Sequence, residues 1–208
     1  MLALAVAFGS TLASEADFRP ILKGVENHYN RAKTLEVVFT ETYTGQGRPR
    51  QSESGKLTLR KPGRMRWDYN SPAGKLFLTD GKQAYLYNPV TNRVEQMPLK
   101  QSEDMRAPLA FLLGKLDFAK EFGNFTSGVE GDNTLIGARA KSDKLPYESI
   151  KMLINRSYEI RRLEVTGQDR SVLTFQFDQE KVNPALDDKQ FKFQMPPGAK
   201  LADREGEQ

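Results

Sequence analysis

Cysteine is absent from the 208 residues and histidine occurs once, as His28. The first absence removes disulfides, thiolate metal ligands, thiol nucleophiles and the cysteine on which a lipid anchor is built. The second leaves no two-histidine or His-rich zinc site. Neither sign of charge dominates: 31 Lys plus Arg stand against 27 Asp plus Glu, a net +4, which excludes a dedicated polyanion binder on charge alone. Nucleophile elbows, Walker loops, zincin spacing and dinucleotide glycines are missing as well. Gly45-Gln46-Gly47 lacks a third glycine and runs into Pro49, so it is a loop. The acid pairs Glu103-Asp104 and Asp187-Asp188 lie in turn-like segments, where solvation accounts for them, and nothing points to paired-carboxylate catalysis. No metal or cofactor is expected.

What is present begins with an uncharged apolar run, Met1–Ala13, followed at once by Ser14-Glu15. It is too short to span a hydrocarbon core of about 30 Å as a helix. It reads as the remnant of an export signal without its basic start, Thr11-Leu12-Ala13 serving as the small-x-small cleavage site. Residues 14–208 then form a single expected domain, since no repeat, low-complexity tract or linker divides them.

Asp17–Lys33 places Phe18, Ile21, Leu22, Val25 and Tyr29 at helical spacing, with Asp17 as the expected N-cap and Pro20 in the first turn. His28 falls on the polar side of this helix and is expected to be exposed and structurally neutral. From Leu35 the period changes to two: Leu35, Val37, Phe39 and Tyr43 share one face. Gly45–Ser54 has turn chemistry. Gly55–Arg60 and Arg64–Tyr69 resume the alternation, and further strands are expected at Lys75–Thr79, Gln83–Asn88 and Arg93–Met97. Ala107–Lys115 breaks the rhythm with Leu109, Leu112 and Leu113 at helical spacing between Pro108 and Gly114. Strands are then expected at Phe118–Phe125, Thr134–Lys141, Glu148–Asn155, Glu159–Thr166, Ser171–Asp178 and Lys189–Gln194. The close turns between neighbours argue for antiparallel hairpins.

About ten or eleven antiparallel strands tend to curl or split. With two apolar-faced helices to cover them, the economical fold is mainly β: an unclosed antiparallel barrel with an α-helical lid, a two-sheet sandwich standing second. The basic and aromatic interleaving of Arg60–Tyr69 does not make a nucleic-acid platform, because on a strand Arg64 and Arg66 point away from Met65, Trp67 and Tyr69. Their ordinary reading is a solvated basic face. Phe39, Tyr43, Met65, Trp67, Tyr69 and Phe77 need a cover. If the short helix around Leu109–Leu113 closes only in part, an apolar cavity suited to acyl chains results, each buried CH₂ being worth about 0.8 kcal/mol; a filled core is the alternative.

The order of Phe39-Thr40, Gly55-x-Leu57, Lys61-Pro62, Trp67, Pro72, Asp80-Gly81-Lys82, Tyr87-Asn88-Pro89, the Pro108 helix, Phe191-x-Phe193 and Pro196-Pro197-Gly198 resembles the periplasmic outer-membrane lipoprotein carriers, the LolA family. That resemblance implies a non-enzymatic periplasmic carrier. It would take acylated lipoproteins from an inner-membrane lipoprotein-releasing ABC transporter and pass them to an outer-membrane acceptor. It places Tyr43, Met65, Trp67, Tyr69 and Phe77 in the acyl-chain cavity and Tyr29, Leu109 and Leu112 at the lid. Lys61 stands where the family has an arginine that locks the lid; lysine keeps the charge but lacks the planar fork. A lipid or lipoprotein sensor of the same fold is the alternative reading, and an extracytoplasmic hydrolase a more distant one.

Overall fold

The computed structural model describes residues 18–45, 51–99, 116–143 and 147–202. Helix α1 runs from Arg19 to Arg31, shorter at both ends than the expected segment Asp17–Lys33. Phe18 occupies the N-cap position without a side-chain cap, so the expected Asp17 cap does not set this end; Asp17 itself lies outside the described residues. Pro20 sits in the first turn as its fixed φ and missing N–H favour. The helix stops at Ala32, where the backbone turns extended.

The strands are β1 (Thr34–Thr44), β2 (Gln51–Arg60), β3 (Arg64–Ser71), β4 (Leu76–Asp80), β5 (Gln83–Asn88), β6 (Arg93–Pro98), β7 (Phe122–Glu130), β8 (Asn133–Ala140), β9 (Tyr147–Ile154), β10 (Ile160–Gly167), β11 (Val172–Val182) and β12 (Lys200–Leu201). They form one sheet in the order β12-β6-β5-β4-β3-β2-β1-β11-β10-β9-β8-β7. Two antiparallel meanders therefore meet at β1, which pairs with β2 on one side and β11 on the other. The edge strands β12 and β7 do not pair with each other, so the sheet is unclosed.

Three local expectations are corrected. The turn expected over Gly45–Ser54 is shorter, because β2 already pairs with β1 at Gln51, opposite Tyr43. Phe118–Phe125 is not one strand: Asp117 accepts a hydrogen bond from Lys120 N at 3.1 Å and caps a helical turn, Phe118–Glu121, before β7 begins. Lys189–Gln194 is not a strand either. Asp187 accepts from Lys189 N at 2.9 Å, and Asp188–Phe191 forms a 3₁₀ turn. The last strand among the described residues is instead the two-residue β12, which pairs with β6 in parallel and brings the count there to twelve. The helix expected at Ala107–Lys115 lies outside the described residues.

Both faces of the sheet carry apolar contacts. Phe18 at the N-cap and Leu22, Val25 and Tyr29 of α1 belong to one buried cluster with Phe39, Leu57, Trp67, Phe77, Met152, Leu163 and Phe175; the face they share is called the inner face below. On the outer face, the cross-strand row Thr58, Arg66, Leu78 and Tyr85 is covered by the chain after β11. Arg60 Nη2 donates to the Leu186 carbonyl, Arg66 Nη1 to that of Gln190, and Arg64 pairs with Asp188. Phe193 stacks on Tyr85 with 4.4 Å between ring centroids, and Phe191, Leu78 and Thr58 are buried. The expected solvated basic face is thus a set of arginine clamps holding a strap. Cationic side chains with several donors suit the orphan carbonyls of an irregular segment.

Candidate functional site

Strand pairing places the aromatic side chains. Val37, Leu57, Trp67, Phe77 and Leu86 lie opposite one another across β1 to β5, because each is its neighbour's register partner and paired residues share a face. Trp67 is 0% exposed. Phe39 meets it edge-on at 4.6 Å between centroids, Phe175 lies tilted to it at 5.8 Å, and Tyr69 stacks on it at 6.5 Å. Phe39 also meets Tyr69 edge-on at 5.2 Å. Such edge-to-face contacts place the positive ring edge on a neighbour's negative face.

Met65, Trp67, Tyr69, Phe77 and Tyr29 therefore come together in one buried cluster. Tyr43 does not join it. It lies toward the far end of β1, half-buried, opposite Gln51 and Leu173. Leu109 and Leu112 lie outside the described residues. Two neighbours of Trp67 belong beside the expected set: Phe39, noted among the large apolar groups, and Phe175, whose alternation on β11 is short of any motif. Lys75 bonds both oxygens of Glu53 and stands 4.5 Å over the ring of Tyr69, a polar rim on the aromatic cluster.

A hydrogen-bonded clasp fastens α1 to the opposite half of the sheet. His28 Nε2 lies 2.6 Å from Glu180 Oε1, and the Tyr29 hydroxyl donates to Glu180 Oε2 at 2.8 Å while accepting from Ile160 N at 2.9 Å. The Glu180 side chain is only 4% exposed. His28 is consequently neither free nor neutral in its role, contrary to its position on the polar side of α1: β11 supplies a partner for it. The hydrogen bond and the charge of Glu180 raise the pKa of His28 against the opposing effect of burial. Burial foremost, and the same carboxylate, raise that of Tyr29 well above its ordinary value.

The other attachments of α1 come from turns. Lys61 Nζ donates at 2.8 Å to the Tyr29 carbonyl, which also accepts from Ala32 N at 3.2 Å where the helix ends. Burial lowers the pKa of this ammonium. Asn30 exchanges hydrogen bonds with the backbone of Leu116 at 2.7 and 2.8 Å, and Glu26 accepts from Phe118 N at 3.0 Å. Among the described residues, no group of three or more His, Asp or Glu side chains is placed to hold a metal ion. The arrangement sets a large apolar surface beneath a helix that polar contacts tie to the sheet.

The profile of the family described as "Outer membrane lipoprotein carrier protein LolA" matches residues 30–194. The chain is 28% identical over 197 residues to the outer-membrane lipoprotein carrier protein of Pseudomonas aeruginosa (strain UCBPP-PA14), covering 93% of this chain and 92% of the relative. It is also 28% identical over 202 residues to that of Chromobacterium violaceum, covering 94% and 92%. Among solved structures, an uncharacterized conserved protein from Thermus thermophilus shares the fold with a TM-score of 0.53 at 13% identity, over 88% of this chain and 97% of that one. MucB shares it with a TM-score of 0.52 at 11% identity, over 87% and 64%. With the profile spanning most of its length, this chain belongs to the LolA outer membrane lipoprotein carrier family.

Proposed function

We propose that this protein is a periplasmic carrier that shelters the acyl chains of lipoproteins against the inner face of its sheet and moves them from the inner to the outer membrane. Family membership supports lipoprotein as cargo. The observation that carries the reading is the inner-face cluster itself: Met65, Trp67, Tyr69 and Phe77 beneath α1, a helix tied down at a few polar points. No described helix is long and apolar enough to cross a membrane.

Each of these hydrogen bonds to the charged Glu180 and Lys61 contributes about 1.5–3 kcal/mol. An acyl chain of about fifteen CH₂ groups offers about 12 kcal/mol on leaving water. Much of this is cancelled, because the chain displaces apolar protein contacts on entering. The balance between empty and loaded forms therefore stays small, and cargo can pass along a series of binding partners by differences in affinity alone. Lys61, Tyr29 and the Leu109–Leu112 segment would govern how readily the cover yields. An inner-membrane lipoprotein-releasing transporter and an outer-membrane acceptor are the partners this role needs.

The experiment is release from inner-membrane vesicles holding the transporter and an acylated lipoprotein. Addition of the folded protein should bring the lipoprotein into the supernatant as a complex. Lipoprotein that stays membrane-bound in the presence of folded carrier and a working transporter would defeat the proposal.

A further inference from the structure

The side of α1 turned away from the sheet carries a groove of about 640 Å³, lined by Pro20, Lys23, Gly24, Asn27, His28, Arg31 and, from the β9–β10 turn, Tyr158. Lys23, Asn27 and Arg31 are spaced four apart and stack along one helix face, with Arg19 one turn before them. All four are exposed. Tyr158 stands at the edge, 43% exposed, at φ +65°, with its ring lying directly on the backbone of Gly24. A Cβ at Gly24 would sit 2.2 Å from that ring, so the missing side chain is what seats the tyrosine there.

The charges around this groove do not cancel. Glu180 is turned inward to His28 and Tyr29. Glu159 is held by Asn155 and faces Arg161. Glu26 pairs with Lys23 at 3.0 Å but its other oxygen accepts from Phe118 N. Arg19 and Arg31 have no carboxylate partner among the described residues. By contrast, Arg139, Arg161, Arg162 and Lys181 of the strands and Arg156 of the β9–β10 turn each have one.

We infer that this groove is a docking site for the anionic phospholipid headgroups of a membrane surface. Cations above an apolar floor match a phosphodiester with its glycerol backbone, and an aromatic ring with a polar tip at the rim suits the boundary between headgroups and acyl chains. Asn27 adds a donor for the headgroup hydroxyls. Cations near a negatively charged leaflet attract it additively, and the attraction falls with salt. The groove lies opposite the face of α1 that covers the aromatic cluster, so headgroup binding is separable from cargo binding and does not rest on the cargo reading.

The test is co-sedimentation of the full chain with vesicles of phosphatidylglycerol in phosphatidylcholine and with phosphatidylcholine alone. Wild type should bind the anionic vesicles in preference, with binding lost at high salt. The double variant K23Q/R31Q, which gives up the Lys23–Glu26 pair and no other described ion pair, should lose about tenfold or more in affinity for them while keeping its circular dichroism and its lipoprotein release. Equal binding to both vesicle types, or equal binding by the variant, overturns the inference. So does binding of free glycerol phosphate without any binding of vesicles. Loss of lipoprotein release by wild type would count against the carrier reading and leave these vesicle results to stand by themselves.

Discussion

Glu180 holds two consecutive residues of α1 at once: one of its oxygens lies 2.6 Å from His28 Nε2 and the other accepts from the Tyr29 hydroxyl at 2.8 Å. The carboxylate is on β11 and the helix precedes β1, so this one side chain joins the beginning of the chain to its last long strand. Charge on His28 strengthens the clasp. Because its folded pKa is raised above the ordinary 6.5, the stabilisation is fully present below that value and is lost as pH rises through the folded pKa. Chemical unfolding of wild type and His28→Gln at about pH 5 and about pH 8.5 should show the larger gap at the lower pH. A gap that widens with pH contradicts this account of the pair.

Tyr29→Phe deletes the hydroxyl that bridges Glu180 and the Ile160 N–H. Both groups are left buried without that partner, and the cost should be about 1–3 kcal/mol in urea unfolding. Hydrogen exchange at Ile160 should quicken in the same variant, since its amide loses its acceptor.

Lys61→Met removes the ammonium that closes the C-terminal end of α1 at the Tyr29 carbonyl. A hydrogen bond to a charged group is worth about 1.5–3 kcal/mol. Exchange in the last turn of α1 should accelerate, and Lys61→Arg should restore the protection, because a guanidinium offers more donors to the same carbonyls.

Two glycines should respond oppositely to alanine. At Gly24 the new Cβ meets the end of a half-exposed tyrosine, which can swing away, so Gly24→Ala should be close to neutral and the helix preference for alanine offsets the lost contact. At Gly55 the Cβ would lie 2.1 Å from the Asp68 carbonyl of the paired strand. Backbone cannot swing, so Gly55→Ala should lower the melting temperature sharply. Thermal unfolding of the two variants decides between these outcomes.

The parts legible in the sequence are those with a short period. The helical face of Phe18, Leu22, Val25 and Tyr29 and the alternation of Met65, Trp67 and Tyr69 each place their side chains within one element, and the unclosed sheet under a helix follows from them. The role of His28 is illegible because its partner is 152 residues away and on another strand. The outer strap is illegible for a different reason. Arg60, Arg64 and Arg66 look like a solvated row until Asp187 and Asp188 turn the chain back across them. Phe175 enters the site by register alone, through β1 and β11, which no local pattern specifies.

Trp67, the single tryptophan of the chain, is buried in the cluster proposed to receive cargo, and so reports on it directly. Its fluorescence should be followed while a tryptophan-free lipopeptide and its deacylated counterpart are titrated in. A saturable change in emission with the acylated peptide, and none with the deacylated one, is the result predicted. Binding of the acylated peptide that leaves Trp67 emission unchanged, or identical responses to both peptides, would contradict a site on the inner face.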